Sequence, residues 1–381
     1  GYVEGNYFAV KASYASKPKE ASAEYKSLIK KLHDHHMECI MEMFFPEDVD
    51  HNLVLEALHY WVREYHVDGF HLLGGNLPMT AIVQDNMLSR TKIFYTGFDA
   101  NICTIQRKYK NLYVYKEEYM YPARRVLNHF NANMREFIDQ QRKQGNKYGF
   151  VNFITSNNGF TLADLFMYND RHNEANGEDN LDGNSWNFSN NYGVEGTTRK
   201  HYINKLRKLK WRNSMAMLFL AQGVPLVWSG DEIGNSQQGN NNAYCQDNPV
   251  GWVNWKNEKT HRREIRFLEQ LAQFRREHPI VANEMPFQFS DYRSYGSPDL
   301  SFHGESAWIL EPSEGRMALG MMYNGAYSTD ERYTEDVYVA YNFYSAASTL
   351  ALPKLEKDKH WYLVLDTSDD KMPFLEKPVL Q

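Results

Sequence analysis

The sequence predicts an α/β protein with parallel strands and helical crossovers, followed by a separate antiparallel β domain. Three observations carry that expectation. Strand-like apolar runs alternate with helix-period segments as far as about residue 282. None of these runs is followed by a glycine-rich phosphate loop, which disfavours a nucleotide-binding sheet. From about Asn283 onward the pattern shortens to alternating strands. The first pattern fits either a (β/α)8 barrel or an open sheet.

The elements follow in order. Tyr25, Leu28, Ile29 and Leu32 share a helical face ahead of the apolar run Cys39–Phe45. Val54, Leu58, Trp61, Val62 and Tyr65 mark a second amphipathic helix leading into Val67–Leu73. Ile82, Val83 and Met87 precede a short strand at Lys92–Tyr95, and Leu112–Tyr115 reads as another. Ala123, Val126, Leu127, Phe130, Met134, Phe137 and Ile138 predict one long helix, with the next strand at Val151–Thr155. A helix near Arg199–Gln222 leads into Val224–Trp228, and a last helix covers about Thr260–Glu277. Beyond it, Arg316–Tyr323, Asp336–Phe343, Ser348–Leu352 and Trp361–Leu365 read as β-strands.

Composition narrows the function. A chain of 381 residues accommodates one large domain and a smaller one. A net charge of -6 offers no basic stripe for nucleic acid. No apolar run approaches the ~20 residues of a membrane span. Cys39, Cys103 and Cys245 are odd in number and far apart, so a reducing compartment is expected and the cytoplasm is favoured. No Cys/His cluster has zinc spacing, and no cofactor or metal is expected. The 14% aromatic content permits sugar stacking without requiring it.

Two stretches carry specific motifs: VNFITSNNGFTLADLFMYNDRHNEANGEDNLDGNSWNFSNNYGVEG, from Val151 to Gly196, and QQGNNNAYCQDN, from Gln237 to Asn248. Together they closely resemble the isoamylase-type glycogen debranching enzymes of glycoside hydrolase family 13, which cleave α-1,6 branch points. GYVEGNYFAVKASYAS at the start resembles the family's loop after the second barrel strand, of the form WGYNPxNYFAPxxRYAS. The resemblance therefore implies a TIM (β/α)8-type barrel of α-amylase type over residues 1–282, lacking its first strands. It implies a C-terminal antiparallel β-sandwich over residues 283–381. Cys39–Phe45 and Val224–Trp228 are then expected at open edges, to be completed by an oligomer or by an N-terminal segment.

Enzymes of this family are retaining and need two carboxyl groups about 5–5.5 Å apart. The family's fourth-strand motif, DGFRFDLA, matches Asp68–Gly75, which puts Leu73 at the nucleophile position and His71 at the arginine. The fifth-strand motif, AEPWD, matches Tyr95–Asp99, with Thr96 at the acid/base position. The His-Asp pair ahead of GFTL becomes Asn157-Asn158, so the third carboxylate falls on Asn158. The third-strand motif DVVYNH appears as Glu42–Glu47, with Pro46 in place of asparagine. Leu73 cannot attack an anomeric carbon, and Thr96 cannot usefully protonate a leaving oxygen.

The expected function is therefore a non-catalytic pseudo-enzyme that binds an α-glucan: glycogen, amylopectin or a malto-oligosaccharide. Its expected contacts are Trp186, Asn187, Asn242, Tyr244, Asn157 and Asn158. One alternative is an active α-1,6-glucan hydrolase using displaced carboxylates such as Glu42 or Asp99. Another is a purely structural domain. For Glu42 the bland reading is a buried ion pair; for Asp231-Glu232, a loop organiser; for His71, a filler of the arginine's space. Trp186 is divided between cleft wall and packing residue. Asn240–Asn242 and Tyr244 are divided between sugar contacts and a polar network. Asp179–Gly183 reads as a turn rather than a calcium loop.

Overall fold

Asp50 starts a helix. Its carboxylate accepts the backbone N–H groups of Asn52 (2.7 Å) and Leu53 (3.2 Å), satisfying two donors with no partner inside the first turn. The computed structural model describes residues 5–380 apart from residues 309, 311, 312, 333 and 356. The first four residues of the expected N-terminal loop motif, Gly1–Glu4, lie outside the described residues. Two compact units emerge: Gly1–Lys116 with Gly145–Val151, and Glu117–Gln144 with Asn152–Gln381. The expected division at 282/283 falls inside the second.

The first unit is built on parallel strands: β1 (Ile40–Phe44), β2 (Gly69–Leu73), β3 (Lys92–Tyr95), β4 (Leu112–Tyr115) and β5 (Gly149–Asn152). They pair consecutively, with Ile40 opposite Gly69, Gly69 opposite Lys92, Ile93 opposite Leu112 and Tyr113 opposite Gly149. The crossovers carry α1 (Ala21–Asp34), α2 (His51–Tyr65), α3 (Met79–Gln84) and α4 (Ala100–Thr104). Val54, Leu58 and Trp61 of α2 pack with Phe70, Leu72, Ile82 and Ile93 in one apolar core. On α1 only Ile29 of the four expected face residues is fully buried, and Leu28 is half exposed.

The second unit begins with α5 (Met120–Asn128) and α6 (Met134–Gln141), where one long helix was expected. The apolar pattern runs through the break, but the backbone does not. His129 (φ 62°) and Asn131 (φ 41°) turn left-handed, and Asn133 re-caps the chain by accepting the Glu136 N–H at 3.0 Å. Next come α7 (Leu162–Leu165), α8 (His201–Phe219), β6 (Val224–Pro225) and α9 (Arg262–Glu277). The expected strand Val151–Thr155 is displaced: β5 ends at Asn152, and the buried Phe153 and Ile154 leave the ladder. The expected Val224–Trp228 shrinks to the two residues Val224–Pro225.

Within the first unit the strand order is β1-β2-β3-β4-β5, and no further strand joins β1 among the described residues. In the second unit Leu226, just after β6, donates its N–H to Asn152 O at 2.8 Å.

The C-terminal part is antiparallel. β7 (Leu300–His303), β8 (Ala318–Tyr323) and β9 (Val337–Asn342) form one sheet; β10 (Tyr362–Leu365) and β11 (Phe374–Leu380) form another. β8 is buried along its length. Leu319, Met321 and Tyr323 join Phe137, Ile138, Leu165, Met215 and Phe267 in the unit's single large core. Ser348–Leu352 is not a strand. Its ties here are the Ala351 N–H to Gly304 O (2.8 Å) and the Tyr338 hydroxyl to Ala351 O (3.1 Å).

Candidate functional site

In the first unit, Leu73 closes β2 and its carbonyl accepts the Phe45 N–H at 2.8 Å. Gly74, at φ +136°, sits where a Cβ would lie 2.3 Å from Phe45 O, so the turn leaving β2 needs glycine. His71 lies opposite Glu42 in the β1–β2 register, with its Nδ1 at 2.8 Å from Glu42 Oε2. The imidazole also lies 4.2 Å, centroid to centroid, from the Tyr115 ring. Glu42 does meet a partner as expected, but the pair is only half buried: the Glu42 side chain is 41% exposed and that of His71 14%. Thr96 follows β3 and is exposed. Asp99 caps α4, accepting the Ile102 N–H at 2.9 Å.

In the second unit, Asn157 and Asn158 are exposed on the loop after β5. The Asn158 N–H donates to Ser156 Oγ (3.2 Å), and its amide reaches Glu117 Oε1 (3.5 Å). Beneath this loop lies Arg124, fully buried on α5. Its Nε donates to Ile154 O (2.7 Å) and its Nη1 to Asn187 O (3.2 Å), while Nη2 has no hydrogen-bond partner. Burial pulls this guanidinium down to about 10.

The loop carrying Asn240–Asn242 is held by amide pairs. Asn241 is buried; its Nδ2 donates to Asn184 O (2.7 Å) and Asn187 Oδ1 (3.1 Å), and its Oδ1 accepts from Asn173 Nδ2 (2.9 Å). Its backbone N–H returns to Asn173 Oδ1 (2.9 Å), and its carbonyl receives the Gly159 N–H (3.1 Å). Asn240 Nδ2 donates to Asn176 Oδ1, and Asn242 Nδ2 to Asp182 Oδ2 at 2.8 Å. Asn187 is thus inside the network and Asn242 at its margin. Trp186 and Tyr244 stand outside it, 69% and 65% exposed. Trp186 stacks loosely on Phe188 at 6.4 Å, and the Tyr244 hydroxyl donates to Glu178 Oε1 at 2.7 Å. Asp179 and Asn180 take φ near +55°, the geometry of a turn. No group of three or more His, Cys, Asp or Glu is gathered among the described residues.

Two buried carboxylates anchor these loops. Asp231 accepts from the Thr155 hydroxyl and from the Leu162 N–H (2.8 Å), the bonds of a loop organiser. Burial raises its pKa to about 7. Asp164 on α7 accepts from Ser236 Oγ, Gln237 N (2.8 Å) and Gly239 N (3.2 Å), and burial lifts it to about 6. On α8, Arg207 gathers the carbonyls of Asn191, Val194 and Gly196.

Several known proteins are similar. Isoamylase 3 of the chloroplast of Oryza sativa subsp. japonica is 28% identical over 444 residues, covering 97% of this chain and 55% of that protein. Glycogen debranching enzyme of Pectobacterium atrosepticum is 34% identical over 260 residues, covering 62% of this chain and 39% of that protein. Among solved structures, pullulanase type I from Bacillus subtilis complexed with maltose gives a TM-score of 0.68. It is 16% identical, and the match covers 100% of this chain and 57% of that one. These matches support an isoamylase-type family within glycoside hydrolase family 13.

No family model matches the chain. At 16% identity the pullulanase likeness is one of fold, consistent with an α/β barrel. The chain spans about half the length of the curated isoamylase-type relatives it matches. No helix among the described residues is long and apolar enough to cross a membrane. Arg124 and Asp164 went unnoticed in the sequence. Only the LADL segment of α7, an acid amid apolar residues within a recognised motif, hinted at the second.

Proposed function

We propose that this chain is a non-catalytic α-glucan-binding relative of the debranching enzymes, with glycogen, amylopectin or a malto-oligosaccharide as ligand. One observation carries the reading: the two strand-end positions aligned with the family's carboxyl pair hold Leu73 and Thr96. A retaining glycosidase needs both groups, one to form the covalent intermediate and one to protonate the leaving oxygen. Leu73 has no lone pair, and a threonine hydroxyl is far too weak an acid. Asn157 and Asn158 keep hydrogen-bonding capacity at a position where the family carries charge. Exposed Trp186 and Tyr244 offer ring faces beside the amide loop of Asn187 and Asn242. The reading also treats residues 1–282 as of α-amylase barrel type and 283–381 as a C-terminal β domain.

Binding is expected to be weak, of the order of 1 mM or about -4 kcal/mol, because a few ring and hydroxyl contacts must offset lost sugar mobility. Titration with maltoheptaose, followed by calorimetry, tests this, and Trp186→Ala should weaken it. The absence of any maltoheptaose binding would overturn the reading and leave a structural domain.

One observation favours a second reading. Glu42 and His71, 2.8 Å apart on neighbouring strands, are a carboxylate and an imidazole suited to proton transfer. They would serve a hydrolase with displaced groups, although a single carboxylate is half of what the retaining route requires.

A further inference from the structure

The loop Ser236–Gly239 presents a face away from the asparagine network. A cavity of about 770 Å³ opens beside it, within the size range of small-molecule sites. None of the candidate glucan contacts named above lines it. Its rings come from Tyr168 and Trp252, its amides from Asn235, Gln238, Asn254 and Asn257. Lys256 is the single charged side chain in the lining.

Three features show that this lining is held in place. Asn235, in the lining, is 3% exposed, and its Oδ1 accepts the Asn254 N–H at 3.0 Å, which fixes the amide. Gln238 has a left-handed backbone (φ 57°) though it is not a glycine, and its N–H is tied to Ser236 Oγ at 3.0 Å. That strain persists because the buried Asp164 carboxylate grips the residues on either side, Gln237 and Gly239, as well as Ser236. The indole N–H of Trp252 is fixed on Asp247 Oδ1 at 3.0 Å, which sets the ring's orientation while 54% of the residue stays exposed.

The chemistry selects a ligand class. An apolar guest would leave the buried Asn235 amide without a partner, at a cost of about 1–3 kcal/mol, and would cover the exposed amides of Gln238 and Asn254. An anion would find one flexible lysine. A neutral, polyhydroxylated guest satisfies amide donors and acceptors with its hydroxyls and lays its C–H face on the tryptophan ring. We propose that this cavity is a second binding pocket, for a short neutral oligosaccharide, separate from the residues assigned above to the glucan. That its natural occupant is an α-glucan segment rests on the function proposed above; that it takes a neutral saccharide does not.

The test is titration of the full chain with maltotriose, read from the tryptophan indole N–H signals in nuclear magnetic resonance, with Trp252 identified by Trp252→Phe. The Trp252 signal should shift saturably. Trp252→Ala and Asn257→Ala should each weaken that site at least about fivefold, and Trp186→Ala should leave it unchanged. Both positions are surface-accessible, and thermal denaturation confirms that the variants fold. A Trp252 signal indifferent to maltotriose would overturn the proposal, as would displacement of maltotriose by inorganic phosphate. Loss of binding in Trp186→Ala with Trp252 silent would sink the pocket and leave the first site standing. The converse would sink the first site and keep the pocket.

Discussion

The imidazole Nδ1 of His71 lies 2.8 Å from Glu42 Oε2, across the first two parallel strands and in register with it. This contact joins the residue at the position of an expected arginine to a carboxylate on the neighbouring strand. Its geometry suits proton exchange, but it offers no second carboxyl group.

Activity is therefore the first prediction. The chain should release no reducing ends from amylopectin or pullulan under conditions in which an active isoamylase does. Glu42→Gln and Asp99→Asn should change nothing in that assay. Measurable turnover that either substitution abolishes would replace the pseudo-enzyme with a hydrolase using displaced groups.

Stability should depend on pH through Asp231. In the folded chain its pKa is raised to about 7 from an ordinary 3.8, so folding takes up a proton between those values. Stability contributed by the protonated form is therefore present at low pH and falls as pH rises from about 4 to 7. Asp164, lifted to about 6, adds a contribution of the same sign over a narrower window. Urea denaturation at pH 5 and pH 8 should show the parent losing stability, and Asp231→Asn should flatten the difference. A parent more stable at pH 8 than at pH 5, with Asp231→Asn unchanged in slope, would contradict it.

Asp164→Ala should cost about 3 kcal/mol or more. It strands the Ser236 hydroxyl and the Gln237 and Gly239 N–H groups, each worth about 1–3 kcal/mol when buried without a partner. Ser236→Ala, which removes one donor to the carboxylate and the exposed tie of the Gln238 N–H, should cost less, about 1–2 kcal/mol by the same rule. Equal losses for the two variants in urea melts would show that the carboxylate does not organise the loop.

Asn241→Asp should be worse than Asn241→Ala, despite being nearly isosteric. The asparagine amide donates to Asn184 O and Asn187 Oδ1, whereas a carboxylate would face those acceptors with a buried, uncompensated charge. A loss of about 3–5 kcal/mol is expected, as for other unpaired buried charges. The melting temperatures of the two variants decide it. An aspartate variant as stable as the parent would mean that the loop opens to water.

Much of the parallel sheet was legible because its signals are local. Lys92–Tyr95 and Leu112–Tyr115 are the observed strands, and the apolar face of α2 is buried as its 3.6-residue period requires. Breaks set by backbone rather than by hydrophobicity were not legible. His129 and Asn131 split an apolar pattern that reads as one helix, and a run that reads as a five-residue strand forms only Val224–Pro225. β7, Leu300–His303, was missed because LSFH has only two apolar residues and follows the turn-like run 296–299.

The candidate site was legible in a different way. Motif resemblance located the loops that carry Asn157, Trp186 and Asn242. The buried charges that shape them, Arg124, Asp164 and Asp231, are polar residues whose partners lie tens of residues away in sequence. No periodicity reports such pairings. For Asp231 the sequence suggests a loop organiser only through the resemblance, and the structure gives it hydrogen bonds from Thr155 and Leu162.

The amides of Asn157, Asn158 and Asn242, outside the buried core of Asn173, Asn187 and Asn241, have a consequence for how any ligand would meet them. Primary amides carry dipoles but no net charge, so they neither titrate nor gather counterions. An uncharged guest arriving there would release no ions, and the Debye screening that weakens charged interfaces would have little to act on. These amides would thus work alike in dilute and in saline buffer. Their selectivity would come from the directions of their hydrogen bonds and not from attraction at a distance.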